Sequence, residues 1–241
     1  MSEAGKKAGL VVSAHSADFV WRAGGAIALY AARGYHVRII CLSYGERGES
    51  AKMWRQEGMT LAAVKTARED EARRAADVLG AEVVFYDIGD YPMRVSDETL
   101  ERLAGEFRAL RPEWVLSHSL EDPYNFDHPL AAHVTQEARI IAQAHGHNHP
   151  EPPIGAPNMF LFEPHQTEQC NWKPQLILDI TEVWEAKQAA FTCMAAQEHL
   201  WEYYTRVALQ RGVQGTRNSG RKMTYGEAYQ RIFPVVGDQF I

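Results

Sequence analysis

His15 and Asp18 stand three positions apart, directly after the apolar run 9–14 (Gly-Leu-Val-Val-Ser-Ala). An imidazole and a carboxylate on one loop can grip a single divalent metal, and these two donor types suit zinc. The plainer use of the pair is a His-Asp hydrogen bond that caps the following helix. A third donor is available in the densest polar stretch of the chain, 118–128 (His-Ser-Leu-Glu-Asp-Pro-Tyr-Asn-Phe-Asp-His). There His128 opens a helix and can turn its imidazole back toward the pair. Two histidines and one carboxylate leave a position for water or substrate, the pattern of a catalytic rather than a structural zinc site. The three histidines of 145–149 could also hold metal, but nothing rigid fixes them and they read as a solvated helix end.

The His15-Asp18 turn and the 118–128 segment each follow a predicted strand. Runs at 9–14, 35–43, 82–87, 114–117, 158–162 and 175–179 read as strands. A helical pattern contains the Gly24-Gly25 pair, and further helices are predicted over 60–79, 97–110 and about 129–144. This alternation predicts a three-layer α/β/α, Rossmann-like fold around a mostly parallel sheet, with ligands bound in the crevice at the carboxyl ends of the strands. His15 and Asp18, the glycine and glutamate loop 45–49, Asp90, the 118–128 segment and His165 would all meet at that rim. Farther on, one long helix is predicted over 181–211, a glycine-rich basic segment over 211–222 and a last short helix over 225–233. The expected organisation is one catalytic domain over 1–241, with a C-terminal helical and basic extension from about 181.

A chain of 241 residues can bury a large core. Lys and Arg total 25 against 31 Asp and Glu, a net charge of -6, so neither nucleic acid nor an anionic membrane is expected as partner. Any anion site must be a local arginine cluster. No apolar signal core opens the chain, and no stretch approaches the roughly 20 apolar residues of a membrane span. Cys41, Cys170 and Cys193 are scattered, which fits a reduced cytoplasm. Trp201, Tyr203 and Tyr204 read as exposed aromatics and predict a homo-oligomer.

The ordered set Ala14-His15-x-x-Asp18, Gly24-Gly25, Leu42-Ser43-Tyr44-Gly45-Glu46-x-Gly48, Arg68-x-x-Glu71 with Leu79-Gly80, and Asp127-His128 resembles the PIG-L (LmbE-like) zinc N-deacetylase superfamily. The likeness runs over about 9–233 and extends to Asp179-Ile180-Thr181, Lys187 and, weakly, Tyr225-x-Glu227-Ala228. It implies a Rossmann-like fold and a zinc held by His15, Asp18 and His128. The family's first motif usually reads His-Pro-Asp-Asp, with its first Asp as the water-activating base; Ala17 holds that place here. Its second usually reads His-Pro-Asp-His, with its first histidine steadying the oxyanion; Asn125 stands there. Losing a general acid or base costs about 10²- to 10⁴-fold. The metal is therefore kept while the amide-hydrolysing machinery is not.

Within the family the chain is most similar to a zinc hydratase branch, which implies addition of water to the activated double bond of an unsaturated tricarboxylate. Glu49 is then the candidate base, with Glu46 as the alternative, and His165 the candidate acid, with His118 as the alternative. Glu46, at the family's glutamate position, would hold the loop, a metal ligand or the substrate. Arg47 is the leading carboxylate clamp because a guanidinium binds such groups in a bidentate fork. Arg22, Arg94 and the 217–222 segment are further cations, and Asn125 a further substrate contact. Arg68 and Glu71 read as a structural ion pair. Two other readings keep the fold and change the chemistry: an N-deacetylase of an amino sugar or related amide with an unusual base, and a non-catalytic metal- or ligand-binding relative.

Overall fold

The computed structural model describes residues 7–234 and residue 236. In chain order the elements are β1 (Ala8–Ser13), α1 (Asp18–Ala32), β2 (His36–Cys41), α2 (Ala51–Trp54), α3 (Leu61–Leu79), β3 (Glu82–Phe85), α4 (Asp97–Leu110), β4 (Trp114–Ser117), α5 (Asp127–Ile141), β5 (Asn158–Phe162), β6 (Leu176–Asp179), α6 (Trp184–Cys193), α7 (Trp201–Ser219) and β7 (Gly226–Arg231). They form one seven-stranded sheet of order β3-β2-β1-β4-β5-β7-β6. The first five strands in that order run parallel, and β7 lies antiparallel between β5 and β6. The chain leaves β1 toward β2 and β3, then returns to place β4 on β1's other side. The β1/β4 junction is thus the switch point at which such sheets open a crevice.

Two cores sandwich the sheet. Val11 of β1 packs with α1, α3, α6 and α7, whereas Leu10 and Val12 pack with α4 and α5. Every residue of β1 is buried, so the strand shows no polar alternation in sequence. Helix starts follow local chemistry. The Thr60 hydroxyl accepts a hydrogen bond from Ala63 N and the Ser96 hydroxyl accepts one from Thr99 N, each at 3.2 Å. Glu101 joins His147 Nδ1 and His149 Nε2 at 2.8 and 3.0 Å, so the 145–149 turn is a helix end fastened to α4.

The C-terminal third departs from the sequence reading in three places. The helix expected over 181–211 is broken at Met194, and a 3-10 turn over Ala195–Leu200 separates α6 from α7. The break is gripped from α3. Glu71 accepts from Ala196 N at 2.9 Å, and Arg68 donates to Gln197 at 3.0 Å while pairing with Glu71 at 2.6 Å. That pair is buried and structural, as read. The segment 211–222 is largely helix: α7 runs to Ser219, and Gly212 and Gly215 lie where a side chain would collide with Thr224 and Met223. The short helix expected over 225–233 is strand β7, because its backbone completes the sheet between β5 and β6. The aromatics that suggested a homo-oligomer are engaged within the chain. Tyr204 is 6% exposed and stacks on Trp21, while Trp201 and Tyr203 are half-buried against the same core.

The Gly24-Gly25 pair has a specific use. Glu227 of β7 inserts its carboxylate into the middle of α1, where Oε1 accepts from Gly25 N and Oε2 from Ala26 N, both at 2.7 Å. A Cβ on Gly25 would sit 2.7 Å from Ile180 and 2.9 Å from the Glu227 carboxyl carbon. Lys187 donates to Trp21 O at 3.0 Å and pairs with Glu227. Side chains from β7 and α6 thus bond backbone groups in the middle of the continuous helix α1.

Candidate active site

The crevice at the switch point holds the chemistry. The turn after β1 presents His15 and the first residue of α1, Asp18; the loop after β2 presents Glu49; α5 starts at Asp127 and presents His128 in its first turn. His15, Asp18, Glu49 and His128 each offer a donor atom, all within 4.8 Å of one another. His15 Nδ1 lies 3.1 Å from Asp18 Oδ2 and 3.2 Å from Glu49 Oε1, and His128 Nε2 lies 3.5 Å from Asp18 Oδ1. His15, Asp18 and His128 are all at most 4% exposed.

The outer atoms of the two histidines face carboxylates. His15 Nε2 is 3.2 Å from Asp127 Oδ2, and His128 Nδ1 is 2.8 Å from Asp122 Oδ2. Such partners fix ring orientation and tautomer in metal sites. Asp127 is held in turn by Tyr91 N and Met93 N at 3.0 and 2.9 Å. With Nδ1 turned to Asp122, His128 Nε2 is a buried nitrogen with no hydrogen-bond partner. An orphaned imidazole nitrogen facing a carboxylate is what a metal ligand looks like before its cation is counted.

Electrostatics agree. Burial alone would lower the pKa of His15, but the charge of Glu49 and hydrogen bonds from Asp127 and Asp18 outweigh it and hold the ring well above the usual histidine value. Burial would raise Asp18, yet the rings of His128 and His118 bring it well below the carboxylate range. The cluster carries excess negative charge and favours a cation at its centre. His118 is pushed well below its ordinary value by burial and then by His128. Its Nε2 accepts from Ala14 N at 2.9 Å, and its ring stacks on His128 at 4.3 Å, so it acts as a wall.

A cleft of about 220 Å³ opens above the cluster, lined by Asp18, Arg22, Glu49, Asn125, His128 and His165 among others. His165, at the end of β5, stacks on Tyr203 at 4.1 Å. Burial lowers its pKa, and the charge of Arg22 lowers it further. Asn125 is 8% exposed and its Oδ1 accepts from Asp127 N at 3.1 Å, so it shapes the start of α5 as well as the cleft. Two predicted residues stand elsewhere. Glu46 is buried and accepts from Tyr44 N at 3.1 Å, with Lys65 at 3.7 Å, so it braces its own loop. The Arg47 side chain is exposed and does not line the cleft; its backbone N–H instead anchors the loop on Asp90 at 2.9 Å. Arg94 is exposed too, and the 217–222 segment lies at the far end of α7.

Sequence reading missed Asp122 and Asp127 as partners of the ligand histidines, and Tyr91 and Gln197 as cleft walls. Asp127 adjoins His128 and Asp122 lies six residues before it, a proximity that could have marked both. Tyr91 adjoins Asp90, which the sequence already put at the rim, whereas nothing in sequence ties Gln197 to the cleft, because it arrives through contacts with a distant element. Tyr91 packs over Gly48, where a Cβ would come within 2.2 Å of its ring.

Comparisons with known proteins fit this geometry. The family described as GlcNAc-PI de-N-acetylase, PIG-L, matches residues 10–139. A 4-oxalmesaconate hydratase of Pseudomonas putida KT2440 is 63% identical over 235 residues, 96% of this chain and 91% of that protein. The crystal structure of the 4-carboxy-2-hydroxymuconate hydratase of Pseudomonas putida KT2440 superimposes with a TM-score of 0.95 at 62% identity, covering 98% of this chain and 100% of that one. The N,N'-diacetylchitobiose deacetylase of Pyrococcus horikoshii shares the fold, with a TM-score of 0.78 at 22% identity over 94% of this chain and 84% of its own.

Proposed function

The chain belongs to the PIG-L family, and we propose that within it the chain acts not on an amide but on 4-oxalomesaconate or its 4-carboxy-2-hydroxymuconate tautomer, adding water to give 4-carboxy-4-hydroxy-2-oxoadipate in the breakdown of aromatic acids such as gallate and protocatechuate. It is an enzyme of the hydro-lyase class. The observation that carries this reading is an exchange of carboxylates. Ala17, at the position the family gives to its base, is fully buried and has nothing to accept a proton. Glu49 reaches the same cluster from the next loop, 3.2 Å from His15 Nδ1.

The donor set and the orphaned His128 Nε2 fit a divalent metal. His15, Asp18 and His128 would hold it, and zinc bound there supplies a Lewis acid for the 2-oxo acid end of the substrate. Glu49 takes a proton from water while the water oxygen bonds to the carbon that carries the branch carboxylate. His165 delivers a proton to the neighbouring carbon, where the electron pair of the double bond becomes the new C–H bond. The proton comes from the imidazolium form of His165, which its lowered pKa makes the stronger acid; after each cycle Glu49 gives the proton of water to solvent and His165 takes one back. Tyr91, Tyr124 and Leu200 narrow the cleft around these groups. On this reading residues 1–241 work as one catalytic unit in the cytoplasm, with the part from about 181 contributing Gln197, Tyr204 and Glu227.

The test is the ultraviolet absorbance of the conjugated tricarboxylate, generated enzymatically and mixed with zinc-loaded, chelator-treated and Glu49→Gln protein. The chromophore should vanish with zinc-loaded protein, persist with chelated protein, and decay about 10²- to 10⁴-fold more slowly with Glu49→Gln at unchanged zinc content. Persistence with the zinc-loaded protein overturns the hydratase reading. Full activity of Glu49→Gln removes Glu49 as the base.

A further inference from the structure

A substrate with three carboxylates must enter a cleft already lined by Asp18, Glu49 and Asp122. Among the described residues, Arg22 is the only lysine or arginine that lines it. We propose that Arg22 is the clamp for a substrate carboxylate remote from the 2-oxo acid end, and so the residue that selects polycarboxylates over simple 2-oxo acids. This rests on the hydratase reading above and names how that site recognises its substrate.

Three observations support it. Arg22 lies four residues after Asp18 on the same face of α1, so helix geometry sets the spacing between the metal cluster and the guanidinium. The side chain is only 8% exposed, and its Nη1 donates to Glu163 O at 3.0 Å, which fixes the fork. One donor is free for a ligand. Nε is buried 3.4 Å from Asp18 Oδ1 without a hydrogen bond, and Nη2 has no partner among the described residues. An arginine built only to support Asp18 would satisfy Nε on that carboxylate. This one keeps Nη2 unspent at the cleft, where an incoming carboxylate can take it while Nη1 stays fixed on Glu163 O.

The experiment compares wild type, Arg22→Met and Arg22→Lys, each zinc-loaded with metal content verified. Calorimetric titration with pyruvate probes the 2-oxo acid end alone. 2-Oxoglutarate and 2-oxoadipate each add one remote carboxylate, at the two places where the substrate carries one. Arg22→Met should weaken at least one of these dicarboxylates about 10- to 100-fold and leave pyruvate unchanged. Arg22→Lys keeps the charge without the fork and should lose about 3- to 10-fold, which carries the test should Arg22→Met fail to fold. Equal weakening of pyruvate means that Arg22 acts through Asp18, and it overturns the proposal. So does an unchanged affinity for both dicarboxylates, or their failure to bind wild type. Arg22-dependent binding in a protein that leaves the chromophore intact would retain the clamp and discard the hydratase. Turnover with a flat binding comparison would do the reverse.

Discussion

Replacing Glu227 by glutamine should cost this protein much of its stability although the residue lies outside the cleft. The carboxylate is 5% exposed and collects four donors: Gly25 N and Ala26 N at 2.7 Å, the Tyr229 hydroxyl at 2.7 Å, and the Lys187 ammonium. Glutamine keeps the shape but removes the charge, stranding an ammonium that is 2% exposed. Breaking a buried ion pair from one side costs about 3 to 5 kcal/mol. The new amide NH₂ also confronts backbone or phenol donors in place of an acceptor, for about 1 kcal/mol more. The sum, about 4 to 6 kcal/mol, rivals the whole stability of many domains. Urea unfolding with chelator present removes any stabilisation by bound metal, and a thermal scan should fall by roughly 10 to 20 °C at 2 to 4 °C per kcal/mol. Lys187→Met in the same chain should recover about 2 kcal/mol, because the stranded charge is then gone. A loss below about 1 kcal/mol for Glu227→Gln, or simple additivity in the double variant, would refute the claim that this pair holds α1.

Three further outcomes follow from the site. Asp122→Asn frees His128 Nδ1 from its carboxylate and should lower metal affinity about 10- to 100-fold in a chelator competition, whereas unchanged affinity would remove Asp122 from that role. In metal-free protein the His165 imidazole should titrate below the ordinary 6.5 by NMR, because burial and then the Arg22 charge disfavour its protonated form. Arg22→Met should move that titration upward, and a His165 that stays in place would show that the guanidinium does not act on it. Gly48→Ala drives a methyl into the ring of the 46%-exposed Tyr91, which must swing aside, and should slow turnover at a cost of less than about 1 kcal/mol while zinc content holds, read by steady-state kinetics and unfolding.

The parallel half of the fold was legible because β1, β2, β4 and β5 are short apolar runs closed by turn residues, and the polar segments after them mark the rim. The cluster was legible for the same reason: His15, Asp18, Glu49 and His128 all sit just beyond strand ends. What escaped was set by distant contacts. Gly226 to Arg231 has a helix-like composition, and its buried Glu227 disguises the strand's inner face as a surface position. The break after α6 depends on Arg68 and Glu71, more than 100 positions earlier. Arg47 and Arg22 could not be ranked from sequence, because which one faces the cleft depends on Asp90 drawing the 45–49 loop outward by its backbone.

The wedge in α1 also orders events in time. Gly25 and Glu227 are separated by 202 positions, and the helix that carries Asp18 and Arg22 lacks this brace until that carboxylate arrives. During synthesis the first strand and its turn leave the ribosome long before β7 exists, so the early part of the sheet must stand without this support. Contacts of this span are slow to form, since the loop must close before they contribute anything. A chain in which β7 has not docked therefore lacks the Glu227 contacts that brace the helix carrying Asp18 and Arg22.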